Sequence, residues 1–274
     1  MAAEQMNRST DGILTQRPVY VKLISRKTAD MQQHTGGVYL KGQSMIKAAA
    51  FDLGGTLVNY PLYWRPLYRP ALEKAASDCN IALTEEMFTS ACDILMKYNV
   101  RETPREHEVT SDKIFTEIMS AWGCQADIES IKAAFFSFFN ADAVPFPEAR
   151  EALLYLKQAG TKTGILTDAP YGMDNKFALQ GISDFSELID FFVSSVDAGY
   201  RKPHGAGYLK LLEHFAVSPD EMLYIGDEEK DVIGANKLGI ISVLINRSDI
   251  KKDFGQTYTV NSLIEIQRII NAAQ

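Results

Sequence analysis

Cysteine, histidine and long apolar runs are all scarce in this 274-residue chain, and each scarcity narrows what it can be. The three cysteines, Cys79, Cys92 and Cys124, are odd in number and form no C-x-x-C pair. That usage speaks against a disulfide framework and predicts buried free thiols in a reducing compartment. Of the four histidines, His34, His204 and His214 show no metal-ligand spacing, and His107 stands alone before a helix start. Basic residues are outnumbered, 28 Lys and Arg against 35 Asp and Glu, for a net charge of −7. An acidic chain argues against a general nucleic-acid or anionic-membrane binder. No apolar run approaches the roughly 20 residues of a membrane span, and the N-terminal stretch lacks the continuous apolar core of a secretory leader. A cytoplasmic location is therefore expected, with no nucleic acid and no membrane among the partners.

What remains is ordinary for a globular protein: 46% apolar and 23% charged residues, enough to build one large domain or two unequal ones. Residues 1–44 stand apart, polar and mildly basic, with a single candidate strand at Pro18–Ile24 and a turn at His34-Thr-Gly-Gly37. They read as a disordered leader, or as an extension upstream of a natural start at Met45.

The chain is organised around Ile46-Lys-Ala-Ala-Ala-Phe-Asp-Leu-Gly-Gly-Thr-Leu57. Its apolar run predicts a buried strand that ends on Asp52. Gly54 and Gly55 follow, allowing a sharp turn and close approach to a ligand. A carboxylate at the end of a central strand stands where α/β sheets place ligands, although an aspartate there can also simply cap a turn. Residues 59–145 read as helical throughout, with apolar stripes through Leu67–Ala76, Phe88–Met96, Ile114–Trp122 and Ile131–Phe139. Thr84 and Thr110 mark helix starts, and the aromatic and Met stripes are read as core. Val144-Pro-Phe-Pro147 breaks the pattern as a hinge.

From Glu148 onward, helices and strands alternate. Strands are expected at 162–167, 190–194, 222–225, 240–245 and 258–260. Helices are expected at 148–158, 172–179, 207–215, 231–238 and 262–272. Such alternation predicts an α/β fold: a parallel sheet with helices on both faces. The domain reading is a core of residues 45–58 and 146–274, with an inserted α-helical cap at 59–145.

Polar groups collect at four strand ends: Asp52; Thr167 and Asp168; Arg201-Lys202-Pro203; and Gly226-Asp-Glu-Glu-Lys-Asp231. A carboxylate can attack phosphorus, oxygen ligands suit a hard divalent cation, and phosphoryl transfer needs chiefly positioning and charge neutralisation. With these four motifs in order, from Met45 to the C-terminus, the chain resembles the haloacid dehalogenase-like superfamily. The inserted helices resemble the small cap of its phosphoglycolate phosphatase and β-phosphoglucomutase branch. The resemblance implies a Rossmannoid α/β core and Mg²⁺-dependent hydrolysis of a small phosphorylated metabolite through an aspartyl-phosphate, by a monomer or homodimer.

Position by position, it implies Asp52 as nucleophile, Thr167 as the phosphate-binding hydroxyl and Lys202 as the charge-stabilising lysine. Asp227 would bind metal, with Asp231 supporting the metal site and the Gly54 carbonyl adding a ligand. Gly54, Gly55, Thr167, Asp168 and Lys202 would line the substrate phosphate. One departure matters, because the family pattern D-x-D-x-T carries a second Asp where this chain has Gly54. That Asp protonates the leaving group and later activates water. Losing such a group typically lowers the rate by roughly 10²–10⁴-fold, less for a good leaving group.

Gly54 motivates an alternative, a weak or inactive relative that binds a phosphorylated ligand or a partner. A phosphonoacetaldehyde hydrolase-like reading would need a cap lysine; Lys97 and Lys113 lie in the cap, but their surroundings do not resemble that branch's signature. A phosphomutase would want the missing acid. Trp64, Arg65, Tyr68, Arg69, Arg101 and Arg105 are cap residues that could select substrate, His107 could substitute as an acid, and Glu228 and Glu229 could join the metal shell.

Overall fold

Four consecutive apolar residues, Ala48–Phe51, form strand β1, and all four are buried. The computed structural model describes residues 45–60 and 64–273; the strand and turn expected within residues 1–44 lie outside the described residues. Short strands β2 (Val58–Asn59) and β3 (Val144–Pro145) pair antiparallel, Val58 opposite Pro145 and Asn59 opposite Val144. Then come β4 (Lys162–Thr167), β5 (Phe191–Ser194), β6 (Met222–Gly226), β7 (Ile241–Ile245) and β8 (Tyr258–Val260). With β1 they form a six-stranded parallel sheet in the order β5-β4-β1-β6-β7-β8.

Side chains alternate across this sheet with the period of two that a strand imposes. Ala49 and Phe51, with Ile165, Leu223 and Ile225, face the helices Ala149–Gln158 and Ile266–Ala272. Ala48 and Ala50, with Leu166 and Tyr224, face helix Ala206–Phe215 and Ala235 of helix Glu229–Lys237. Both faces of the sheet are covered, which is why its strands read as nearly continuous apolar runs.

The chain leaves β1 toward β4 and β5 on one side and returns to β6, β7 and β8 on the other. Where the direction of winding reverses, the carboxyl ends of neighbouring strands leave a crevice. Asp52 follows β1 at that point, and its N–H donates to the Ile225 carbonyl at 2.8 Å.

Between β2 and β3 lie helices Tyr68–Asp78, Glu85–Tyr98, Ser111–Trp122 and Ile128–Asn140. They share a separate apolar core that includes Leu95, Ile114, Ile118, Phe115, Phe135, Phe136 and Phe139. Thr84 caps its helix by accepting from the Met87 N–H at 3.2 Å, and Thr110 does the same for Lys113 at 3.5 Å. A second attachment joins this helical layer to the sheet domain. The Glu108 N–H donates to the Gly199 carbonyl at 3.0 Å, and the Arg201 N–H donates to the Glu106 carbonyl at 2.8 Å. The buried Glu108 carboxylate then accepts from Ser195 Oγ and pairs with Arg201.

Several expectations need correction. Residues 59–145 are not helical throughout. Asn59, and the Val144 and Pro145 expected to act as a hinge, form the β2–β3 pair, and residues 99–110 run as a loop that docks on residues 199–201. These pairings join residues more than 80 apart, so no local period signals them. The helix expected at 172–179 breaks into a 3₁₀ turn at Pro170–Gly172 and one α-turn at Asn175–Ala178. The helix expected at 231–238 starts earlier, at Glu229, because Glu228 and Asp231 form a reciprocal capping box. The three thiols are free, as expected, but half-buried rather than buried.

Candidate active site

At the carboxyl ends of β1, β4 and β6 the structure brings Asp52, Thr167, Lys202 and Asp227 to one cleft, with Asp231 buried behind them against Lys202. Asp52, Thr167 and Asp227 follow or end their strands directly. Lys202 comes from the loop after β5, and Asp231 from the first turn of helix Glu229–Lys237. Lys202 Nζ lies 2.7 Å from Asp52 Oδ1 and 2.6 Å from Asp231 Oδ1. It also reaches the Tyr224 hydroxyl at 3.2 Å and the Leu166 carbonyl at 3.4 Å. Asp52, Lys202 and Asp231 are all buried.

Burial would pull the Lys202 ammonium down, but Asp231 and Asp52 more than offset that and hold it well above the ordinary lysine range. Burial pushes the Asp52 carboxyl up to about 6, opposed by Lys202 and reinforced by Asp231. Asp227 is likewise pushed up to about 6, by burial and then by the charges of Asp52 and Glu228.

The two motif acids are held differently. Asp231 has both oxygens engaged, Oδ1 by Lys202 and Oδ2 by the Glu228 N–H at 3.0 Å. Among the described residues, Asp227 accepts a hydrogen bond from Thr56 Oγ1 alone, at 3.1 Å. Gly55 permits this closeness. It adopts φ +78°, and a Cβ there would stand 2.4 Å from Asp227 Oδ2. Oxygens of Asp52, Asp227 and Asp231 all lie within 4.8 Å of one another, an all-oxygen donor set of the kind a hard divalent cation takes. A second group with that spacing, Asp112, Glu129 and Asp174, already surrounds the buried ammonium of Lys132.

Asp168 lines the cleft, but its side chain is occupied: it accepts from the Lys202 N–H at 2.9 Å and pairs with Lys230 at 3.1 Å. Burial works against its charge, yet Lys230, Lys202 and Arg201 hold its carboxyl below the usual range. Lys230 and Thr56 were not anticipated as part of the site. Both sit inside the motifs, one before Asp231 and one after Gly55, so their positions were the available signal. Glu228 lines the cleft and pairs with Lys230 at 2.7 Å, whereas Glu229 is exposed.

The cleft has a volume of about 1140 Å³ between the sheet ends and the helical layer. Trp64, Arg65, Arg101 and Arg105 line it. Tyr68 donates into or accepts from a bond with Tyr171 beneath the lining, and Arg69 turns outward to Glu85 at 2.9 Å. His107 is exposed against Tyr200 and is not part of the lining. Neither Lys97 nor Lys113 lines the cleft; Lys97 pairs with Glu117 at 2.6 Å.

Tyr60 is the neighbour of the position where the family pattern carries its second carboxylate. A Cβ on Gly54 would meet the Tyr60 ring at 3.5 Å. Burial, and then the nearby Asp52 charge, push the Tyr60 hydroxyl up to about 12.

The haloacid dehalogenase-like hydrolase family matches residues 46–239, and the chain belongs to that family. A glyceraldehyde 3-phosphate phosphatase of Methanocaldococcus jannaschii is 28% identical over 234 residues, covering 82% of this chain and 97% of that one. One of the same name from Pyrococcus furiosus is 36% identical over 200 residues, covering 72% and 80%. A solved HAD phosphatase from Thermococcus onnurineus shares the fold with a TM-score of 0.59 at 19% identity, over 83% of this chain and 99% of that one. Among the described residues, no helix is long and apolar enough to cross a membrane.

Proposed function

We propose that the protein is a Mg²⁺-dependent phosphatase acting on a small phosphorylated metabolite through an aspartyl-phosphate. The observation that carries this reading is the ion-paired triad at the base of the cleft, Asp52–Lys202–Asp231, with Asp227 beside it. The similarity to named phosphatases supports the same class.

In this mechanism Asp52 attacks phosphorus, forming an O–P bond as the bond to the leaving oxygen breaks. Lys202 balances charge on Asp52 and on the phosphoryl oxygens, and the Thr167 hydroxyl donates to one of those oxygens. Water then attacks the phosphorus of the aspartyl-phosphate, releasing phosphate and restoring Asp52. Mg²⁺, held by Asp52 and Asp227 with the Gly54 carbonyl, would neutralise phosphate charge. Asp231, saturated by Lys202 and Glu228, positions rather than ligates. The unpaired thiols support a reducing, cytoplasmic setting.

Asp52→Asn tests the reading. Phosphate release from a panel of phosphorylated metabolites should require Mg²⁺ and vanish in the variant, with the fold intact. Unchanged release would overturn it. The second reading, a binding protein with little turnover, is favoured only by Gly54. It would be preferred if no substrate turned over while Mg²⁺ still bound.

A further inference from the structure

Arg247 lies outside every motif described so far, yet its side chain meets the turn that follows the nucleophile. It stands two residues beyond β7, and β6 separates β7 from β1 in the sheet, so the guanidinium crosses the end of β6 to reach that turn. There Nη1 donates to the Gly55 carbonyl at 2.7 Å and Nη2 to the Thr56 carbonyl at 2.9 Å. Among the described residues, no other donor reaches either carbonyl. Nη2 also pairs with Glu148 at 3.0 Å, and the guanidinium carbon lies 3.6 Å from the centre of the Phe146 ring. The Phe146 N–H donates in turn to the Leu57 carbonyl at 3.0 Å. Arg247 itself does not line the cleft.

We propose, building on the phosphatase reading above, that Arg247 is a positioning residue: its guanidinium fixes the Gly55–Thr56 backbone so that Asp52 and Asp227 stand in register for turnover. The turn contains two consecutive glycines, the most permissive of backbones, so its shape must be imposed from outside. The Gly55 N–H donates to the Val58 carbonyl at 2.8 Å, which sets the peptide plane before Gly55, and Arg247 sets the plane after it. The Gly54 carbonyl belongs to the first of these planes and points opposite to that N–H, as a trans peptide requires. The other side of the turn meets the cleft. Thr56 Oγ1 donates to Asp227 Oδ1 at 3.1 Å, and Asp227 Oδ2 stands 2.4 Å from where a Gly55 Cβ would be. The turn is thus gripped by Arg247 on one side and by Asp227 on the other. A guanidinium is a planar fork that holds two acceptors at a fixed separation, which the point charge of a lysine does not reproduce. A plain ion pair with Glu148 would need only the charge, so substitution separates the two roles.

The test compares Arg247→Ala and Arg247→Lys with the wild-type protein, using nitrophenyl phosphate and Mg²⁺. Because Arg247 does not line the cleft, the loss should fall on kcat with KM near wild type. In Arg247→Ala it should reach about 10²-fold, the usual cost of displacing a reacting group by about 1 Å. Arg247→Lys keeps the charge beside Glu148 and should recover little of that loss. Guanidinium chloride below unfolding concentrations should raise the kcat of Arg247→Ala, and sodium chloride of equal ionic strength should not. Glu148→Gln should keep kcat near wild type. Amide hydrogen exchange needs no turnover: in Arg247→Ala it should quicken about tenfold or more across residues 53–58 and stay unchanged in β1 and β6. Should Arg247→Ala fail to fold, Arg247→Lys carries the same comparison. Full kcat in Arg247→Lys, a matching loss in Glu148→Gln or unchanged exchange in the turn each overturns the proposal. No phosphate release by the wild-type protein, with exchange still quickened in Arg247→Ala, would instead remove the phosphatase reading.

Discussion

Among the described residues three carboxylates converge beside a lysine in two places, and the two clusters differ in what they leave free. Asp112, Glu129 and Asp174 surround Lys132, whose side chain is only 2% exposed although Asp112 is 66% exposed. The ammonium occupies the middle, and the cluster is a structural knot tying two helices of the helical layer to the segment after β4. Asp52, Asp227 and Asp231 are instead met from one side. Lys202 takes Asp52 and Asp231, while Asp227 is left with the Thr56 hydroxyl and faces the cleft. A cation-shaped donor set is thus not enough to define a site. What separates the two clusters is whether a charge in the fold already fills the centre, and whether the remaining oxygens open to a cavity.

Substitutions can break this contrast. The largest effect is expected for Asp52→Asn, with turnover lost in a phosphate-release assay and circular dichroism unchanged. Lys202→Met should come next. It leaves two buried carboxylates without their counter-charge, at a cost of about 3–5 kcal/mol in urea unfolding, together with loss of activity. An unchanged unfolding midpoint would show that the triad is not a stabilising unit.

Lys132→Met should cost less, about 1–3 kcal/mol, because its carboxylate partners reach solvent once released. Turnover by the folded variant should stay near wild type, and a collapse of kcat without loss of fold would make that cluster part of the chemistry. Metal should sharpen the contrast further. Mg²⁺ added at pH 7.5 should raise the melting temperature of the wild-type protein, and Asp227→Asn should abolish that rise while Asp112→Asn leaves it intact.

Protonation gives the smallest and most graded effect. Asp52 and Asp227 are both pushed up to about 6, above their unfolded values, so the metal-free folded chain holds more protons than the unfolded chain between roughly pH 4 and 6. These two groups therefore favour the folded state at low pH, and their contribution is lost as pH rises through about 6. Metal binding needs both carboxylates ionised, so the Mg²⁺-induced rise in melting temperature should fade as pH falls through the same window. A Mg²⁺ effect independent of pH from 5 to 8 would exclude these carboxylates as the ligands.

Much of the fold was legible in the sequence because its signals are local. Strand β4 is found at Lys162–Thr167 and β8 at Tyr258–Val260, as their apolar runs and flanking turns predict. The helix starts at Thr84 and Thr110 follow from hydroxyls three residues before an open N–H. A fully covered parallel sheet follows from alternating strands and helices, each apolar enough to be buried. The strand ends also carried the candidate site, since a chain that winds outward from β1 in both directions must bring Asp52, Thr167 and Asp227 to one edge. Helix Glu229–Lys237 was misread by two residues because Asp231 works both as a cap and as a partner of Lys202.

The sequence by itself determined the class of fold, the order of the strands of the main sheet and which residues stand at their ends, because periodicity and capping act over a few residues. Only the tertiary structure decided which charges neutralise each other. Lys132 fills one acidic cluster and Lys202 flanks the other. It also decided that Tyr60 stands beside Gly54, that Lys230 occupies Asp168, and that the Glu106–Glu108 stretch docks beside residues 199–201. Several of these contacts join segments far apart in the chain, and all of them depend on how side chains meet in space. Ionic and packing energies depend on distance in space, and no local pattern of residues records that distance.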